Sequence, residues 1–149
     1  MLVRDVMSRP VYTVRDDASF KKVFLKLQNK KISGVTVINT KGKMVGVISE
    51  KDLLHRLFPR EEDFYKDLDY YRNFERIEFE AAGISKLTAR KLMTRKVITV
   101  GPDRHVLVAC SLMAIHNIRR LPVVEKGKLL GIVTMSSLYK NYLSSFLAG

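Results

Sequence analysis

Few side chains in this sequence combine a useful chemical type with a useful spacing. Ser49 and Asp52 stand three residues apart at the head of Glu50–Phe58, a stretch that reads as a helix. That spacing puts a hydroxyl and a carboxylate one turn apart on the same face. The same pair can also cap a helix N-terminus, so spacing alone leaves a structural role open. Arg119 and Arg120 are adjacent and carry fixed positive charge, suited to an anion or to solvent. Thr134 and Ser137 repeat the three-residue spacing with a hydroxyl in place of the carboxylate. Asp103 and His105 are close in sequence, yet no nucleophile or metal set surrounds them, and no catalytic residue is assigned. His55, His105 and His116 lack a mutual metal-ligand spacing, so no metal site is assigned. The single cysteine, Cys110, cannot form an internal disulfide or a cysteine cage, and it sits in an apolar stretch that reads as core. Gly46 and Gly131 are lone glycines, and no Walker, GxGxxG or HExxH pattern occurs. The expectation is a protein that is not an enzyme.

Composition narrows the class. The 149 residues are 46% hydrophobic and 28% charged, with 4 Pro and 8 Gly, which excludes collagen-like and wholly disordered chains. No apolar run approaches the roughly 20 residues that span a bilayer, and Met1–Asp5 does not open a signal peptide. A cytoplasmic location without membrane attachment is expected. The net charge is +12 and unevenly spread. Residues 1–54 carry +6, residues 55–88 carry −2 and residues 89–149 carry +8. Such a surface favours nucleotide phosphates, nucleic acid or an acidic protein.

The elements that must position these residues come in duplicate. A shift of 86 places residues 3–38 on 89–124, and after one deletion 41–54 fall on 126–139. Identities include Arg4/Arg90, Met7/Met93, Thr13/Thr99, Ile32/Ile118, Val37/Val123, Gly46/Gly131 and Leu53/Leu138. Each copy reads as a strand (Val11–Val14; Val97–Val100), a helix (Ser19–Lys31; Arg104–Asn117), a hairpin and a second helix (Glu50–Phe58; Ser136–Leu147). The hairpins are Gly34–Asn39 with Lys43–Ser49, and Leu121–Glu125 with Lys128–Thr134, each around a Lys-Gly turn. A unit of about 50 residues buries a poor core alone, so two copies are expected to share one by pseudo-two-fold symmetry. The expected boundaries are 1–58, a helical connector at 59–88, and 89–149.

The connector has no counterpart in the second copy. Pro59 and the acidic run Arg60-Glu61-Glu62-Asp63 suit a helix start. Phe64, Leu68, Tyr71, Phe74 and Ile77 continue at helical spacing toward Gly83. The stretch reads as one amphipathic helix, either packed on the module or offered to a partner.

Two β-α-β-β-α copies, each with Gly-x-x-Ser/Thr at the end of its hairpin, resemble a pair of CBS domains, the Bateman module. Gly46-Val47-Ile48-Ser49-Glu50-Lys51-Asp52 fits that family's ligand motif fully, and Gly131-Ile132-Val133-Thr134-Met135-Ser136-Ser137 departs from it at the last position. Ile118-Arg119-Arg120-Leu121-Pro122-Val123 resembles the family's strand entry. The resemblance implies an α/β fold in which two repeats related by pseudo-two-fold symmetry pack into one module. It also implies a regulatory module binding adenosine-containing ligands in two clefts that mix residues of both copies. The main cleft would use Val47, Ser49, Asp52, Thr99, Ile118, Arg119 and Arg120. The weaker one would use Thr13, Ile32, Ser33, Ile132, Thr134 and Ser137.

The chemistry implied at those positions is specific. A carboxylate accepts both hydroxyls of a ribose, and charge-assisted hydrogen bonds are the stronger kind. Ser49 and the helix start favour a phosphate, Arg119 and Arg120 a phosphate tail, and Val47 with Ile118 a purine. The second cleft lacks the carboxylate and the arginines, which costs about 1.5–3 kcal/mol, or roughly ten- to hundredfold in affinity. The expected ligand is an adenine nucleotide (AMP, ADP or ATP), with S-adenosylmethionine open at the second cleft. Expected partners are a second copy of the chain, since such modules commonly form a disc-like homodimer, and an unidentified effector protein. Nucleic acid is the less favoured alternative, because no DNA- or RNA-reading motif occurs.

Overall fold

The computed structural model describes residues 1–9, 11–56 and 65–148. Within the first copy the helix α2 (Phe20–Lys30) begins where Ser19 accepts the Lys22 N–H on its Oγ, and ends where Lys31 turns left-handed at φ 52°. The sequence supplies the serine cap, whereas the left-handed end falls on a lysine rather than on the glycine or asparagine that usually takes it. Strands β1 (Thr13–Arg15), β2 (Gly34–Ile38) and β3 (Met44–Ser49) form one sheet in the order β1-β2-β3. β1 runs parallel to β2, with Thr13 opposite Thr36, and β3 returns antiparallel, with Val47 opposite Thr36. The helix α3 (Glu50–His55) follows β3 directly. Its expected extension, Leu57 and Phe58, lies outside the described residues, as do Pro59 and the run from Arg60 to Phe64.

The connector departs from a single continuous helix. Helices α4 (Leu68–Arg72) and α5 (Phe74–Ile84) are separated at Asn73, whose backbone (φ −92°, ψ 86°) leaves the helical region. The Asn73 side chain then caps α5 by accepting the Arg76 N–H at 3.1 Å. A competing side-chain cap therefore restarts the helix in a new phase. Ile77, Ala81 and Ile84 are its partly buried face, while Phe74 and Phe79 are 73% and 81% exposed, so Phe74 does not belong to the buried stripe.

The second copy repeats the plan with α7 (Val106–His116), the hairpin β4 (Arg120–Glu125) and β5 (Lys128–Thr134), and α8 (Met135–Leu138). α7 ends at Asn117, left-handed at φ 51°, the position equivalent to Lys31. The chain then makes a π-helical turn at Tyr139–Leu143 and a last helix, α9 (Ser144–Leu147), where one regular helix was expected. The expected strand Val97–Val100 is reduced to a single parallel bridge between Val100 and Val123. The reason is covalent. In the first copy Asp16 extends the pairing by donating its N–H to Ile38 at 2.9 Å. Its equivalent is Pro102, which has no N–H to give.

Each copy opens on a short helix, α1 (Val3–Val6) in the first and α6 (Ala89–Leu92) in the second. The chain divides into one unit of Met1–Tyr12 with Lys96–Gly149 and another of Thr13–Arg95. Each copy's leading segment thus belongs to the unit built on the other copy. In the first unit Val3 and Val6 enter a core with Val100, Val106, Ala109, Met113, Leu121, Val123, Val133 and Leu138, with Cys110 packed partly buried against it. In the second, Ala89 and Leu92 enter a core with Val14, Ala18, Val23, Leu27, Val35, Val37, Ile48 and Leu53. No helix among the described residues is long and apolar enough to cross a membrane.

Candidate functional site

In the Thr13–Arg95 unit the site is built at the junction of β3 and α3. Ser49 leaves the strand with extended backbone and becomes the N-cap. Its Oγ accepts the Asp52 N–H at 3.1 Å, and the Asp52 carboxylate accepts the Ser49 N–H at 2.9 Å. The capping role that the spacing left open is therefore real, and it orients the carboxylate. The second carboxylate oxygen accepts the Thr94 hydroxyl at 3.0 Å. Each carboxylate oxygen offers more than one lone pair, so these bonds leave acceptor capacity for a ligand.

Thr94 was not among the expected site residues. It arrives on the segment that follows α6, which pairs reciprocally with Val47 through N–H to carbonyl bonds of 2.9 and 3.1 Å. Gly46 permits that approach. A Cβ there would stand 2.6 Å from Met93 Sδ and 2.8 Å from the Thr94 carbonyl oxygen. The motif glycine thus serves a close backbone crossing. The identities Arg4/Arg90 and Met7/Met93 were the sequence signal for this segment.

Ser33 and Ile32 lie at the turn entering β2. The Ser33 carbonyl accepts the Glu50 N–H at 2.9 Å, and Gly34 is opposite Ser49. Ile32 is half-buried against the core. Thr13 opens β1 on the same cross-strand row as Thr36 and Val47. The structure therefore brings Thr13, Ile32, Ser33, Val47, Ser49 and Asp52 into one unit, although they were divided between two expected clefts. Nearby, Arg90 binds Asp16 at 2.9 Å. The guanidinium beside it holds the Asp16 carboxyl below the usual carboxylate range, and Asp16 raises Arg90 in turn.

The other unit holds the remaining set. Thr134 Oγ1 accepts the Ser137 N–H at 3.1 Å, and Ser137 Oγ accepts the Thr134 N–H at 3.2 Å. The cap is kept while the charge is lost. The Arg119 carbonyl accepts the Met135 N–H at 2.8 Å, and Arg120 is opposite Thr134. Ile118 follows the left-handed Asn117 and is half-buried against the core. Ile132 exchanges backbone hydrogen bonds with Ser8, as Val47 does with Thr94. Thr99 is half-buried just before the Val100 bridge. His105 caps α7, its Nδ1 accepting the Leu107 N–H at 3.2 Å.

The comparisons with known proteins bear on both units. The family model described as the CBS domain matches residues 3–59 and 89–144. An uncharacterized protein of Methanocaldococcus jannaschii is 36% identical over 150 residues, covering 93% of this chain and 89% of its own. A CBS-domain structure in complex with AMP superposes with a TM-score of 0.74 at 26% identity, covering 97% of this chain and 98% of that one. A CBS domain pair in complex with 5-methylthioadenosine and S-adenosyl-L-methionine superposes with a TM-score of 0.72 at 25% identity, covering 97% and 98%.

Proposed function

The chain belongs to the CBS-domain family as a tandem pair, and on that premise we propose that it is a non-catalytic regulatory module binding an adenosine-containing ligand, with AMP, ADP or ATP foremost. The observation that carries this reading is the Asp52 carboxylate, fixed by Ser49 and Thr94 at the head of α3. Two solved relatives that hold AMP, or 5-methylthioadenosine with S-adenosyl-L-methionine, support the ligand class. In this reading Ser49 and Asp52 take the ribose and the first phosphate, and Val47 packs against the base. In the other unit Thr134 and Ser137 keep the cap without the charge, and S-adenosylmethionine, which has no phosphates, is the better candidate there. The output passes to an effector protein in the cytoplasm, from a homodimer. Ligand binding shifts the equilibrium only in proportion to its different affinities for the two states.

The test is calorimetric titration of the full chain with AMP, ADP, ATP, NAD and S-adenosylmethionine, beside Asp52→Ala. Tight binding of one adenosine ligand at about one per chain, lost in the variant, is expected. Retention of wild-type affinity in Asp52→Ala would remove this site assignment.

A second reading has its own observation. The helix α2 carries Lys21, Lys22, Lys26 and Lys30 with no acidic residue, in a chain of net charge +12. Such a surface suits nucleic acid through nonspecific electrostatics. A steep fall of oligonucleotide affinity with salt, and none of adenosine ligands, would favour it.

A further inference from the structure

Thr94 stands outside every ligand set that the sequence suggests, yet its hydroxyl donates to Asp52 Oδ1 at 3.0 Å. The Ser49 N–H holds the other carboxylate oxygen, Oδ2, at 2.9 Å. One of these bonds alone would leave the carboxylate free to turn about its last torsion, whose wells are broad. Two bonds, one to each oxygen, fix its plane. All three residues belong to the Thr13–Arg95 unit. Asp52 is half-buried and Thr94 exposed, so the bond lies at the surface, within reach of a ligand.

The duplication isolates this bond from the fold. Thr94 pairs with Val47 through backbone hydrogen bonds of 2.9 and 3.1 Å, and its equivalent Ser8 pairs with Ile132 through bonds of 2.8 and 3.2 Å. The backbone crossing is thus common to both copies. The side-chain link is not. Ser137 stands in place of Asp52, and its hydroxyl turns back to the Thr134 carbonyl at 2.9 Å. A crossing of this kind therefore forms without a hydroxyl-to-carboxylate bond, and the bond to Asp52 serves something else.

We infer that Thr94 is a positioning residue that makes the site select ribose over 2′-deoxyribose. The inference rests on the adenosine-binding reading. A ribose offers two adjacent hydroxyl donors, and a carboxylate takes both only when its two oxygens are presented together. Oδ1 and Oδ2 each keep acceptor capacity after Thr94 and Ser49 are served. Thr94 acts through the carboxylate and does not touch the ligand. Its contribution is the rotational freedom that Asp52 no longer has to lose on binding. A 2′-deoxyribose engages one oxygen and gains less from the fixed plane.

The experiment uses the full chain as wild type, Asp52→Ala, Thr94→Val and Thr94→Ser. Affinities for AMP and 2′-deoxy-AMP are measured by calorimetric titration, and ligand-free melting by calorimetric scan. Wild type is expected to prefer AMP by about tenfold or more. Thr94→Val keeps the shape and removes the hydroxyl, and it should lower that preference about three- to tenfold. Its ligand-free melting temperature should stay within about 4 °C of wild type. Thr94→Ser restores the hydroxyl and should restore the preference. An unchanged preference in Thr94→Val overturns the inference and leaves the Asp52 site standing, provided Asp52→Ala has lost AMP. Equal weakening of both nucleotides overturns it as well, as does failure of Thr94→Ser to restore the preference. A larger fall in melting temperature, or failure of Thr94→Val to fold, assigns the hydroxyl to the fold and has the same consequence. Absence of AMP binding in the wild type overturns the parent reading and this inference together.

Discussion

Thr94 donates its hydroxyl to the Asp52 carboxylate at 3.0 Å across 42 residues of sequence. The second copy's leading segment is thereby tied to the residue that distinguishes the copies. Position 52 carries a carboxylate and its equivalent, 137, a hydroxyl, yet both complete the same cap. Charge and capping are separable here, and the chain itself contains the replacement that separates them.

Asp52→Ser should therefore copy the Thr134–Ser137 cap. The melting temperature should stay within a few degrees of wild type, since the penalty of a lost cap, about 1 kcal/mol, is avoided. AMP affinity should fall ten- to hundredfold as the charge-assisted bonds disappear, by the roughly 1.5–3 kcal/mol such bonds supply. Parallel calorimetric melting and titration would check both halves. An affinity that follows stability, rather than falling alone, would count against the ribose role of Asp52.

Gly46→Ala should destabilise the Thr13–Arg95 unit by roughly 1–3 kcal/mol, the usual range for overpacking. The added Cβ would meet the Thr94 carbonyl oxygen at 2.8 Å, and backbone there cannot step aside as a side chain can. Gly131→Ala should cost less, because its nearest backbone atom, the Ser8 carbonyl oxygen, is at 3.0 Å. Urea unfolding of the two variants measures the order. Gly46→Ala should also weaken AMP binding by displacing Thr94 from Asp52, whereas Gly131→Ala should not.

The Asp16–Arg90 pair sets an acid limit on the same unit. Asp16 has its folded-state pKa lowered from 3.8, chiefly by the hydrogen bond from Arg90. A depressed carboxyl stabilises the fold above its unfolded pKa and loses that contribution as pH falls through the folded value. The melting temperatures of wild type and Arg90→Gln should thus differ by a constant amount from about pH 8 to about pH 5 and converge below about pH 4. Added salt should narrow the difference, because the Arg90 side chain is 55% exposed. A gap that persists at low pH would show that Arg90 acts through packing.

Much of this architecture was legible in the residues. The helix end at Asn117, the paired hairpins and the N-cap residues all carry local signals of turn and cap chemistry. The exchange of leading segments was not legible. Val3-Arg4-Asp5-Val6-Met7 and Ala89-Arg90-Lys91-Leu92-Met93 present the same apolar pattern, so either would satisfy either core. Local periodicity says that a segment is buried and is silent on which partner buries it. The break at Asn73 was hidden because apolar spacing ran through it unaltered, and only a side-chain cap interrupts the backbone there.

The exchanged segments also impose an order on biosynthesis. Residues 13–95 contain everything their unit needs, so that unit can close while the rest of the chain is still on the ribosome. Met1–Tyr12, although made first, belongs with residues 96–149. Val3 donates its N–H to the Arg104 carbonyl, and Ser8 bridges to Ile132, so the earliest residues wait for nearly the latest. The second-made half of the duplication therefore closes later than the first, with a segment that has waited since the start of synthesis.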